Sequence, residues 1–327
     1  MSELETDDAL ALHGNLTVID AHCDILMDVT NGHCRLADRV PVDGVTSGRV
    51  RGQVDIPRLR EGGVTAQVLA VFVEERYHDN PLRRALDMIA TCHEEVQANT
   101  NAVLLVRRPE DIRRAKREKK IAFILGLEGA EPLGTDIALV RVFYELGVRL
   151  IGLTWNWRNA AADGWDASGP LGGLTPFGRH VVREMCRLGM IVDIAHLAKS
   201  GFWDVIEAAE QPIIGSHCRT WGDWHSLDDE QMRAVAATGG VVCAIGVRRP
   251  DLADIVNQIQ HIADVAGINH AGFGADFYGL DLAPVGLEDA TKYPALTAAL
   301  LQRGFDPGDV AKVMGGNLLR VFDEVLR

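Results

Sequence analysis

The chain is 327 residues long and 47% hydrophobic, with 33 glycines and 12 prolines, a composition that can bury a large core and excludes disordered and fibrous classes. Its formal net charge of −13 repels nucleic-acid phosphates and anionic lipid heads, so neither nucleic acid nor a membrane surface is expected as a partner. The acidic opening MSELETDDALALHG is unlike a secretory signal, and no run reaches the ~20 apolar residues of a membrane helix, so a cytoplasmic location is expected.

In chain order, short apolar runs rich in Val and Ile fall at 16–22, 64–73, 121–128, 148–155, 190–196, 212–217, 240–246 and 271–276. Their length and β-branched content predict buried strands. Helical spacing occupies 82–99, 111–119, 135–146, 176–188, 199–209, 228–237 and 252–266, with the charged 111–119 mostly solvated. Pro109, Pro176 and Pro250 fall near helix starts, where a missing N–H costs little. Gly147, Gly189, Gly239 and Gly267 fall just past helix ends, where the left-handed conformation is needed.

Eight strands alternating with helices predict an α/β fold of the TIM-type (β/α)8 barrel class. The surplus length is assigned to the Gly- and charge-rich loop 30–57 and to extra C-terminal helices within 283–327. An open doubly wound sheet is the structural alternative, weakened because no GxGxxG or Walker loop follows the first strand. No repeat, linker or low-complexity block divides the chain, so residues 1–327 are expected to form one domain.

Ligand-type residues cluster at the strand ends. His22 and Asp24 follow the first run, Glu128 the third, His196 the fifth, His217 the sixth and Asp276 the eighth. Catalytic groups of such barrels gather at this C-terminal mouth. Each residue alone has a plain structural reading: a hydrogen-bonded strand-end histidine, or, for Glu128, a helix cap. Five nitrogen and oxygen donors buried together would be costly unless cations were bound. Donors without thiolate suit zinc, and also manganese, cobalt or iron(II). Five are too many for one catalytic zinc with an open position. They fit two ions sharing a carboxylate, with Glu128 the central candidate. The six cysteines are scattered without a CxxC pair and read as reduced thiols. Cys23 and Cys218 adjoin His22 and His217, but neighbouring strand residues point to opposite faces, so they are not expected to be ligands. Asp193, three residues before His196, reads as structural.

At these residues the sequence resembles the renal (membrane) dipeptidase family of zinc peptidases, within the amidohydrolase-like barrels. The matching stretches are Val18-Ile19-Asp20-Ala21-His22-Cys23-Asp24, Gly126-Leu127-Glu128-Gly129-Ala130, Leu153-Thr154-Trp155-Asn156, Val192-Asp193-Ile194-Ala195-His196, Ile214-Gly215-Ser216-His217 and Gly272-Phe273-Gly274-Ala275-Asp276-Phe277. They run in family order over nearly the whole chain. The resemblance implies two Zn2+ per chain, one held by His22, Asp24 and Glu128 and the other by Glu128, His196 and His217. It implies hydrolysis of a dipeptide by a metal-bridging hydroxide, with Asp276 as the acid–base residue. It further implies tolerance of a D-residue on the C-terminal side and a homodimer.

The chain also departs from the family pattern. Trp155 stands where many members carry a substrate-polarising histidine. The stretch after His217, where the family places a substrate-binding arginine, is shortened, and His225 lies near the expected position. Trp155 and Asn156 are therefore candidate substrate contacts, and Arg219, His225 or Arg248 would hold the substrate carboxylate. The membrane anchoring of animal members is not expected. One alternative is another binuclear hydrolase acting on an ester, lactone, cyclic amide or phosphotriester. Many such barrels use a carboxylated lysine on strand four, and 149–155 has no lysine. The other alternative is a metal-binding homologue without catalysis.

Overall fold

The computed structural model describes residues 3–46, 49–220, 226–246 and 250–327. Eight parallel strands form the barrel: β1 Val18–Asp20, β2 Val64–Phe72, β3 Ile121–Glu128, β4 Val148–Gly152, β5 Ile191–Asp193, β6 Ile214–Cys218, β7 Val241–Ile245 and β8 Ala271–Gly274. Neighbours in sequence are neighbours in space. The ring is completed between β1 and β8, where Ala21 N–H donates to Phe273 C=O at 3.3 Å and Asp24 N–H to Phe277 C=O at 2.9 Å. This is the expected (β/α)8 architecture.

Alternation along the strands explains how the barrel fills. Ala66, Val68, Ala122, Ile124, Leu150, Ile191, Ile214, Val241 and Cys243 belong to one buried apolar cluster with Leu318, Val321 and Phe322 of the last helix, Asn317–Val325. That helix therefore packs under the barrel and seals its floor, which is the use the fold makes of the extra C-terminal segment. The alternate residues Leu69, Val71, Phe123, Leu125, Ile151, Val192 and Val242 pack instead with the surrounding helices. Glu128 follows Ala122 and Ile124 in the two-residue period, so it faces inward at the mouth. The register between β6 and β7 passes from Gly215↔Val242 to Cys218↔Ala244, one extra residue on β6. Such a bulge re-aims a side chain and carries His217 onto the inward side that Ile214 begins.

Several elements lie beyond the sequence reading. A helix spans Glu3–Asn15, the strand Val103–Leu105 pairs with β3, and an antiparallel hairpin of Asp43–Thr46 with Arg49–Arg51 forms inside the insertion. Strands of three or four residues carry too little periodicity to read. Several strands are also shorter than their apolar runs. β1 ends at Asp20, β5 at Asp193 and β8 at Gly274, so His22, Asp24, His196 and Asp276 lie beyond the strands rather than ending them.

Candidate metal centre

The five expected donors and Asp276 meet at the C-terminal mouth. Glu128, the last residue of β3, is in the middle: its Oε2 lies 3.2 Å from His22 Nε2, and its Oε1 lies 3.2 Å from His196 Nε2 and 3.7 Å from His217 Nε2. Asp24 Oδ1 is 3.7 Å and Asp276 Oδ1 3.8 Å from His22 Nε2. Among the described residues, donor atoms converge in three overlapping groups: His22, Asp24 and Glu128; Glu128, His196 and His217; and His22, His217 and Asp276. The first two groups are the two expected sets, sharing Glu128.

The chemistry of these donors fits cations. His22 Nε2, Asp24 Oδ1 and Glu128 Oε2 are buried and make no hydrogen bond, although they crowd one another. Buried polar atoms are rarely left so. On the other side, His196 Nδ1 faces Asn156 Oδ1 at 2.9 Å, and that oxygen also accepts from Trp165 Nε1 at 2.5 Å. An amide oxygen only accepts, so His196 carries a proton on Nδ1, and as a neutral ring it presents a bare Nε2. His217 Nδ1 lies 2.8 Å from Ser216 Oγ, whose hydroxyl in turn bonds Asp193. With the hydroxyl donating to Asp193, His217 Nδ1–H donates to Ser216 and its Nε2 is bare as well. The two Nε2 atoms stand 2.8 Å apart, an arrangement that a shared cation stabilises and lone pairs alone do not.

Electrostatics show the same crowding. Burial is the largest influence on His22 and disfavours its charge, yet Glu128 and Asp24 together hold its pKa well above the usual range. Burial would raise Glu128, and is outweighed by His22 and His196, which keep it well below the usual carboxylate range. Asp276 is pushed well up by burial, with Asp24 and Glu128 adding to the rise and His22 opposing it. His217 is pushed well down, first by burial and then by His22 and His196.

The supporting carboxylates are placed alike on both sides. Asp20 Oδ1 accepts the N–H of His22 at 3.2 Å and of Ala275 at 2.9 Å, and its Oδ2 accepts Tyr293 O–H at 2.5 Å. Asp193 Oδ1 accepts the N–H of Ala195 at 3.1 Å and of Ser216 at 3.0 Å. Each buried aspartate ties one strand end to the next, so Asp193 has the structural part expected of it. His196 and Asp276 have left-handed backbones, φ +62° and +58°. A non-glycine residue there costs about 1–3 kcal/mol, which such ties help to hold.

A cavity of about 230 Å³ opens over the centre, lined by Asp24, Glu128, His196 and Asp276 and by Phe72, Trp155, Asn156, Trp165 and Arg219. Trp155, Asn156 and Arg219 are thus brought to the site. His225 and Arg248 lie outside the described residues. Arg49, Trp165, Ile245, Gly279 and Asp281 also line the cavity and were not singled out from sequence. Gly279 leaves no room for a side chain: a Cβ there would stand 2.3 Å from Asp276 Oδ1 and 2.7 Å from Asp24 Oδ2.

A (β/α)8 barrel with overlapping histidine and carboxylate donors around a cavity at its mouth is the architecture of a metal-dependent hydrolase. Comparison with known proteins narrows the class. The model of the membrane dipeptidase family, peptidase family M19, matches residues 6–327. The dipeptidase tcpJ of Claviceps purpurea is 30% identical over 295 residues, spanning 84% of this chain and 69% of that protein. Among solved structures, the metallopeptidase dipeptidase AC of family M19 superposes with a TM-score of 0.86 at 25% identity, covering 95% of this chain and 99% of that one. An amidohydrolase from Pseudomonas aeruginosa superposes with a TM-score of 0.82 at 25% identity, covering 97% and 99%. The chain belongs to the membrane dipeptidase family, peptidase family M19. It is a metallo-dipeptidase, a hydrolase of peptide bonds whose substrate is a small peptide.

Proposed function

We propose that the chain is a zinc dipeptidase with two zinc ions per chain, one held by His22, Asp24 and Glu128, the other by Glu128, His196 and His217. The observation that carries this reading is the set of buried, unbonded atoms His22 Nε2, Asp24 Oδ1 and Glu128 Oε2 beside the Nε2 atoms of His196 and His217, which stand 2.8 Å apart. When bound, the metal pair supplies an acidified water as nucleophile and stabilises charge on the carbonyl oxygen.

The protein's own groups do the rest. Asp276 stands at the cavity beside His22 and carries the proton from the attacking water to the leaving amine. Asn156 holds His196 in the tautomer that leaves Nε2 available, and it does so from within the cavity wall. Arg219, which lines the cavity after β6, receives the α-carboxylate of the dipeptide. Trp155 contributes an aromatic wall next to Phe72, with ring centroids 5.1 Å apart. The cavity lies at the small end of ligand pockets, which suits a dipeptide over a longer chain. A D-residue on the C-terminal side is accommodated in this reading.

The test is hydrolysis of a panel of L,L and L,D dipeptides by the protein as purified, stripped by chelator and reconstituted with zinc. Cleavage lost on stripping and restored by zinc is the expected result. Cleavage indifferent to chelator, or turnover of esters, lactones or cyclic amides with every dipeptide untouched, would overturn the reading.

A further inference from the structure

The insertion between β1 and β2 brings a cation to the mouth that the reaction as described does not use. Its hairpin strand Arg49–Arg51 is pinned to the segment that follows Asp276. Val50 N–H donates to Leu280 C=O at 2.8 Å, Gly52 N–H to Tyr278 Oη at 3.1 Å, and Tyr278 N–H to Gln53 Oε1 at 3.0 Å. Arg49 and Arg51 are two apart on this strand and project to one side. Arg51 is neutralised there by Asp28, with Nε 2.9 Å from Oδ2.

Arg49 has no such direct ion pair, although its charge reaches Asp24 and Asp276 and opposes the rise of both carboxyls. Its Nη1 lies 3.0 Å from Met27 Sδ, and its guanidinium sits 5.7 Å from the centre of the Phe72 ring. These soft neighbours orient the guanidinium and leave most of its N–H donors uncommitted. Among the described residues, no carboxylate lies within ion-pair reach of Arg49. The side chain lines the cavity over the candidate centre.

Arg49 stands over Phe72, the last residue of β2, whereas Arg219 follows β6. In a closed eight-strand barrel these two strands face each other across the mouth. Two guanidinium groups therefore flank the centre from opposite walls. A dipeptide with neutral side chains offers one carboxylate, which serves only one of them. We propose that Arg49 binds the side-chain carboxylate of an acidic N-terminal residue, making Glu-Xaa and Asp-Xaa dipeptides the preferred substrates. This rests on the dipeptidase reading above, with Arg219 on the α-carboxylate. A guanidinium matched to a carboxylate rejects the neutral amide isostere, because the amide presents one acceptor and one donor to a group that only donates.

The experiment compares kcat and KM for Glu-Ala and Gln-Ala in the zinc-loaded wild type, Arg49→Met and Arg49→Lys. Wild type is expected to favour Glu-Ala over Gln-Ala by roughly 10- to 100-fold in kcat/KM, through KM. In Arg49→Met, which keeps the length of the stem, that ratio falls to about one, and Arg49→Lys lies between. A wild-type ratio near one overturns the proposal. So does a ratio that survives in Arg49→Met because both substrates lose equally, the result expected if Arg49 held the α-carboxylate or only the hairpin. Calorimetric titration of L-glutamate and L-glutamine as the N-terminal products reads the same contact without turnover. If no dipeptide is cleaved, the dipeptidase reading fails. The Arg49 proposal is still decided by whether L-glutamate binds more tightly than L-glutamine and loses that advantage in Arg49→Met.

Discussion

The two sides of the centre are built differently. On the β6 side, the donor rings of His196 and His217 are held from behind by side chains: Asn156 behind one, and Ser216 backed by Asp193 behind the other. On the β1 side, Asp20 grips the N–H groups of His22 and Ala275 and is itself gripped by Tyr293, as Asp193 grips the N–H groups of Ala195 and Ser216 on the β6 side, so what distinguishes the β6 side is the side chains behind its rings. The unbonded atoms His22 Nε2 and Asp24 Oδ1 are on this second side, and Glu128 reaches both. Side-chain contacts fix a tautomer, whereas backbone contacts fix a position. The β6 side is thus prepared to hold an ion as two neutral imidazoles. The β1 side, with two carboxylates and one imidazole, depends more on the ion's charge for its stability.

Substitutions can break this asymmetry. The largest effect is expected for Asp276→Asn, which removes the proton carrier and leaves the donor sets in place. Turnover should fall by roughly 10²- to 10⁴-fold with zinc content retained, and turnover equal to wild type would remove Asp276 from the reaction. Asn156→Ala frees His196 Nδ1 and should weaken zinc on the β6 side by roughly 10- to 100-fold, sparing the β1 side. Titration of stripped protein with zinc should then show one unchanged and one weakened site. Asp20→Asn is the counterpart. It disturbs the backbone of both β1 and β8, so it should weaken the β1 site and also lower stability by about 1–3 kcal/mol, seen in a denaturant melt.

A smaller effect concerns pH. His13, on the helix before β1, is buried between Thr297 Oγ1 at 2.8 Å and Gly62 C=O at 2.9 Å. Burial lowers its pKa from 6.5, with the Gly62 hydrogen bond partly opposing the shift. A histidine depressed in the fold contributes stability that is present above its unfolded pKa and is lost as pH falls through the folded value. Thr297 belongs to the same helix, Tyr293–Arg303, that supplies Tyr293 to Asp20. The melting temperature is expected to drop as pH is lowered below 6.5, with a shallower slope in His13→Asn.

Much of this was legible in the sequence because strand period and strand end coincide with chemistry. Glu128 lies in phase with Ala122 and Ile124, so its inward position follows from counting by two. His22 and Asp24 likewise fall where the first apolar run stops. His217 reached the site by a less direct route, through a β6 bulge that no single-sequence pattern marks. The groups that hold the rings were harder to read. Asn156 and Ser216 act by hydrogen bonds between separate segments, and neither residue type signals such a partner. Arg49 was hidden in a segment that read only as a Gly- and charge-rich loop, and the hairpin's bonds to Tyr278 and Leu280 bring it to the mouth.

In the proposed centre one carboxylate, Glu128, joins two ions at the mouth of the barrel. Titrating zinc into stripped wild type and stripped Glu128→Gln, while following bound metal and dipeptide turnover together, tests that arrangement. Two zinc per wild-type chain are expected, with turnover appearing as both sites fill. Glu128→Gln should weaken both sites at once and lose turnover. Two zinc bound to Glu128→Gln with wild-type affinity, or full wild-type turnover with a single zinc per chain, would contradict it.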